Sequence, residues 1–205
     1  MPTGSPVDQL ALAIDATGAL IAGVGPDQWS NPTPCPEWNV RALVNHLVVG
    51  DRMFAHILSG KEMPSPETLR RMRGLDRLGD DPVGAYRESA AALLAAFQQS
   101  DVLQGVFQVP VGRLPGTAAL YLRITETLVH GWDLARATGQ PAKLPDEVAE
   151  AALAFVRGRQ APDVPRTGHP FGPIQPVGED APAIDRLAAH LGRTVTGSSM
   201  QTEPA

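Results

Sequence analysis

Twenty prolines and twenty glycines punctuate this 205-residue chain, and where they fall limits what it can become. Proline has a fixed φ and no amide hydrogen, so a helix tolerates it in its first turn and not in its interior. Ser5-Pro6 and Asp81-Pro82 read as a cap followed by a first helical residue, Pro145 opens a further helix, and Pro182 a short last one. Between these marks the apolar residues recur at helical spacing. The first segment covers residues 6–22, with Leu10, Ala13, Ile14 and Ile21 on one face and Gly18 weakening its second half. After the connector Asn31-Pro32-Thr33-Pro34-Cys35-Pro36, Asn39 is the N-cap of a second helix reaching residue 59, closed by Gly60. Residues 61–80 form an irregular connection with a short helical piece. A third helix covers 82–99, a fourth 117–138 with Gly139 at its end, and a fifth 145–157. Residues 102–111 have β character, cut by Gly105 and Pro110, and read as an extended crossover. The expectation is all-α: a helical bundle with crossover connections.

Composition narrows the class. The net charge is −5 and no Lys/Arg stripe is present, which argues against a nucleic-acid partner. The densest basic run, Arg70-Arg71-Met72-Arg73, reads as a solvated helix end. Cys35 is the single cysteine, so no intrachain disulfide forms. No apolar run approaches the roughly 20 residues that span a bilayer, and the first six residues do not resemble a signal peptide. The expectation is a cytoplasmic protein without membrane contact, a monomer or a homodimer. It comprises a bundle over 6–159, a short C-terminal appendage of coil and helix over 160–193, and a flexible tail over 194–205.

Two helices carry residues with chemistry. On the fourth, Glu126 and His130 are four apart and share a face with Ala119, Leu122, Arg123, Asp133 and Ala137. On the second, His46 interrupts an apolar stripe of Ala42, Leu43, Val49, Met53 and Ile57. Gly50 follows His46 by one turn. Glycine there costs about 1 kcal/mol relative to alanine, which points to close approach of another group. Buried imidazoles and carboxylates need partners. His46, Glu126 and His130 would together form a His₂Glu set suited to zinc (Zn2+) with an open position; Ni2+, Fe2+ and Mn2+ remain alternatives. The bland alternative is that the three residues hydrogen-bond one another.

The run Thr33-Pro34-Cys35-Pro36-Glu37-Trp38-Asn39-Val40-Arg41-Ala42-Leu43-Val44-Asn45-His46-Leu47, followed by Glu126-Thr127-Leu128-Val129-His130-Gly131-Trp132-Asp133, resembles the metal-binding domain of the mycothiol-dependent maleylpyruvate isomerases. That domain belongs to the DinB-like four-helix-bundle superfamily. The resemblance covers roughly residues 8–193. It implies a zinc site at His46, Glu126 and His130, and a low-molecular-weight thiol, mycothiol or a similar one, acting as nucleophile on a small electrophilic substrate. The isomerases also carry a C-terminal α/β domain that helps form the substrate site. Here a coil and a short helix follow instead, so metal binding carries over better than the reaction does. Two functions remain: a metal- and thiol-dependent transferase or isomerase, or a non-catalytic metal-binding bundle with a regulatory or interaction role.

Other residues divide by their surroundings. Asp133 is an acceptor for a ligand imidazole, a fourth ligand, or a structural hydrogen-bonding residue. Arg123 is expected to pair with Glu126, with reception of a substrate carboxylate as the alternative. Cys35, Trp38 and Trp132 are expected to pack in the core. His56 falls about 80° from the stripe containing His46, on the surface. His169 and His190 take no metal role.

Overall fold

A computed structural model describes residues 4–36, 38–159 and 172–195. Side-chain caps set most helix starts. Ser5 and Asp8 form a reciprocal capping box ahead of α1 (Pro6–Ala22). Asn39 Oδ1 accepts from Ala42 N at 2.9 Å and starts α2 (Val40–Leu58). Ser65 caps α3 (Pro66–Arg73), the short helix within the irregular connection, and Asp81 caps α4 (Pro82–Phe97). Each such cap contributes about 1 kcal/mol. The strands β1 (Val106–Val109) and β2 (Gly112–Pro115) come next. They are followed by α5 (Gly116–Thr138), α6 (Asp146–Arg159) and α7 (Ala183–His190). Gly139 closes α5 at φ 69°, a left-handed conformation that glycine adopts without Cβ strain.

One local expectation needs correction, and one glycine finds its reason. α1 runs over Pro6–Ala22 as expected, through Gly18. A Cβ there would meet Tyr86 of α4 at 3.3 Å, so the glycine makes room for a ring whose hydroxyl donates to Ile14 O. The stretch around 102–111 belongs to a connection that crosses the bundle, but it is not a simple extended segment: Val106–Val109 is one strand of an antiparallel hairpin, with Phe107 opposite Leu114 and Val109 opposite Gly112. Pro110 and Val111 make its tip, and Gly112 takes φ 115°.

α1 packs against α4 and α5, and α2 packs against the same two helices. The four close a ring in which the chain neighbours α1 and α2 lie on one diagonal and α4 and α5 on the other. The connections 23–39 and 98–115 therefore cross the bundle, which is the four-helix bundle with crossovers expected from the sequence. Leu10, Ala13, Leu120, Ile124 and Leu128 form the heart of the core and are fully buried. α6 and α7 pack on α5 and on each other, and Trp132 Nε1 donates to Asp185 of α7 at 2.6 Å. Among the described residues no helix is long and apolar enough to cross a membrane. The expected coil over 160–171 and the tail beyond 195 lie outside the described residues.

Candidate metal centre

The rotation of α2 against α5 turns His46 toward the face that carries Glu126 and His130. Glu126 Oε2 lies 3.1 Å from His46 Nε2 and 3.5 Å from His130 Nε2, and one ligand atom from each residue lies within 4.8 Å of the others. Tetrahedral bonds of roughly 2 Å to an ion place donor atoms about 3.3 Å apart, so both separations fit a shared divalent cation. The same distances also allow hydrogen bonds. His130 is deeply buried, with a side chain 3% exposed, while His46 and Glu126 keep 24% and 15%. The open side of the cluster therefore lies at His46 and Glu126.

Three groups fix the donors. His130 Nδ1 lies 3.0 Å from Asp133 Oδ2. Asp133 is in turn held by Arg193, whose Nη2 and Nε donate at 2.9 and 3.2 Å. A carboxylate on Nδ1 keeps the proton there and leaves Nε2 as a donor for a metal. Trp38 stacks on the His46 ring, centroids 4.3 Å apart at 28°, and meets His130 edge-on at 5.7 Å. The electrostatics follow from this packing. Burial would raise the Glu126 carboxyl, but hydrogen bonds from His130 and His46 hold it well below the usual carboxylate range. Burial keeps His46 below the ordinary imidazole value despite its bond to Glu126. Burial would also lower His130, but its bonds to Asp133 and Glu126 win and raise it.

Arg123 corrects a sequence expectation. It does not pair with Glu126; its Nη2 donates to Asp51 Oδ1 of α2 at 2.7 Å, with both side chains 3% exposed. A Cβ on Gly50 would stand 2.8 Å from Arg123 Nη1, so the guanidinium is the close approach that the mid-helix glycine implied. Arg123 also lies over the Phe54 ring at 5.2 Å. Beside this pair opens a cavity of about 170 Å³, lined from α2, α3, α5 and the hairpin tip, whose walls include His46, Glu126 and Arg123.

Asp133 accepts from His130 and Arg193, contacts common to its roles as an imidazole acceptor and as a structural hydrogen-bonding residue. Trp38 is not simply core: it is half-buried and covers His46. Trp132 is buried as expected, and Cys35 is half-buried against the α2 cluster. His56 is exposed, His190 is buried in α7, and His169 lies outside the described residues. Asp51 and Arg193 escaped sequence reasoning. The signal for Asp51 was an acid on a largely apolar helix beside Gly50; nothing local marks Arg193.

Comparison with known proteins places the chain in a family. The Mycobacterium tuberculosis protein Rv0738, uncharacterized, is 38% identical over 184 residues, covering 89% of this chain and 94% of that protein. A second uncharacterized protein of that organism, Rv0036c, is 26% identical over 152 residues, 65% of this chain and 56% of the relative. The crystal structure of the mycothiol-dependent maleylpyruvate isomerase superposes with a TM-score of 0.60 at 19% identity, over 75% of this chain and 68% of the isomerase. A mutant of that enzyme gives 0.62 at 18%. Residues 10–135 match the mycothiol maleylpyruvate isomerase N-terminal domain, and the chain belongs to that family.

Proposed function

We propose that the protein is a metal- and thiol-dependent enzyme, a transferase or isomerase in which a low-molecular-weight thiol such as mycothiol meets a small electrophile. His46, Glu126 and His130 hold the divalent ion, zinc in first place, with nickel, iron or manganese compatible with the same donors. The observation that carries this reading is that the three-donor cluster opens onto a cavity: His46 and Glu126 belong to both. A purely structural or regulatory metal site has no need of such a space. When bound, the ion lowers the pKa of a coordinated thiol or water. The chain's own residues supply the setting. Asp133 and Arg193 keep the His130 proton on Nδ1, Trp38 shields one face of His46, and Val49, Met53 and Leu122 give the cavity hydrocarbon walls.

The test is metal content by elemental analysis, for the wild type and for His46→Ala, followed by thiol-consumption assays with mycothiol and a panel of electrophiles. About one ion per chain, lost in the variant, is the expected result. No ion in either protein after zinc is supplied would overturn the reading. A bound ion without thiol consumption would favour the non-catalytic bundle.

A further inference from the structure

The cavity beside the cluster has a distinctive balance of charge. Its volume, about 170 Å³, is close to the roughly 150 Å³ of an engineered apolar cavity that takes up benzene. Most of its wall is hydrocarbon, from Val49, Met53, Phe54, Leu69 and Leu122. Arg123 brings a full positive charge to that wall, but buried Asp51 already answers it at 2.7 Å. Its donors are another matter. Arg123 Nε has no hydrogen-bond partner, and Nη1 faces the notch left by the missing Cβ of Gly50. The guanidinium thus has hydrogen bonds to spare and no charge to spare.

We propose that this cavity selects a neutral, largely apolar electrophile of about benzene size, with a carbonyl-type oxygen accepting from Arg123, and that it rejects dicarboxylates. The inference rests on the function proposed above and names its substrate class. Arg123 and Asp51 cancel; Glu126 leaves one negative charge. A divalent ion turns that into one positive charge, which a thiolate neutralises. Nothing remains to meet the carboxylates of a second ligand, and an unpaired carboxylate between hydrocarbon walls is costly. A single neutral acceptor can instead pair with Arg123 Nη1, which the Gly50 notch leaves approachable from the cavity. The maleylpyruvate in the isomerase's name carries two carboxylates, so on this reading the present chain serves a different electrophile.

The test uses binding rather than turnover. The methyl group of Met53, labelled with carbon-13 and assigned with Met53→Leu, reports cavity occupancy by NMR. Cyclohexanone, cyclohexane and maleate are titrated separately into chelator-treated protein and into zinc-supplied protein holding 2-mercaptoethanol. Cyclohexanone should shift the Met53 signal saturably in both forms, and maleate should bind at least about tenfold more weakly, the cost of about 1.4 kcal/mol. Cyclohexane should bind more weakly than cyclohexanone, and the difference should vanish in Arg123→Met/Asp51→Asn, which removes both charges together. Maleate binding as tightly as cyclohexanone in either form, or no Met53 shift with cyclohexanone in both, would overturn the proposal. Because the chelator-treated protein is included, these outcomes are read independently of whether the protein takes up metal.

Discussion

Replacing Asp133 by asparagine separates a role in metal binding from a role in packing. The side chain is fully buried and takes bonds from His130 and, twice, from Arg193. Asparagine keeps its shape, so no cavity forms; what is lost is the charge. A hydrogen bond to a charged group contributes about 1.5–3 kcal/mol and a neutral one about 0.5–1.5. The His130 contact therefore weakens by about 1–1.5 kcal/mol, or roughly tenfold in zinc affinity, at the lower end of the 10–100-fold typical of such partners. Protons compete for the same nitrogen. His130 is raised above its ordinary value of 6.5 although burial opposes this, because Asp133 and Glu126 bond to it. In the zinc-free protein, the stability due to protonated His130 is complete below 6.5 and is lost as pH rises through the raised value. Zinc uptake runs the other way and grows as that proton leaves. Asp133→Asn lowers the His130 pKa, so the uptake midpoint moves to lower pH while the plateau affinity falls. Arg193→Ala leaves the Asp133 charge uncompensated and moves the midpoint to higher pH. Competition against a chromophoric chelator across the imidazole range measures both quantities, with thermal melts of zinc-free protein alongside. If Asp133 served only packing, the melts would fall while affinity and midpoint stayed put. That result, or both variants shifting the midpoint in one direction, refutes the reasoning.

Two further perturbations probe the surroundings. Gly50→Ala gains about 1 kcal/mol of helix propensity but drives a methyl into the Arg123–Asp51 pair at a cost of about 1–3 kcal/mol, for a net destabilisation of up to about 2 kcal/mol in urea unfolding; increased stability would show that the guanidinium moves aside freely. Trp132→Phe removes the bond to Asp185 and leaves a void in a buried site. It should cost about 2–3 kcal/mol while zinc affinity changes little; a large affinity loss would show that α7 positions the donors through Trp132 as well.

The helices were legible because their starts are local chemistry. Asn39, Ser5 and Asp81 each bond to a backbone amide three residues on, and that needs no knowledge of the rest of the chain. The shared face of Glu126 and His130 is equally local, fixed by the helical repeat. His46 could be read only as an interruption of an apolar stripe; that it meets the other two depends on how α2 is rotated against α5, which no single helix encodes. The same gap explains the error at Arg123. Its nearest acid along the helix is Glu126, yet across the interface Asp51 lies closer and equally buried. The hairpin was half missed for a different reason: residues 112–115 hold one glycine and one proline in four positions, too short and too irregular a run to show alternation.

The support of His130 comes from far along the chain, and this bears on what the C-terminal segment is for. The family match ends at residue 135, just past the last donor. Within it, Trp132 and Asp133 lie two and three residues after His130, and both are bound by groups beyond its end: Asp185 at the first turn of α7 and Arg193 just after it. Arg136 adds a further contact to Asp185. A chain with the bundle alone would carry His46, Glu126 and His130 but leave the Asp133 carboxylate without its cation. Asp133 would then share its charge with His130 alone, which favours the protonated imidazole over the metal-binding one. The segment 172–195 is thus better understood as part of the site's scaffold than as an addition to a finished bundle. The relative that is 38% identical aligns over 89% of this chain, a span too long to be contained in the matched segment alone.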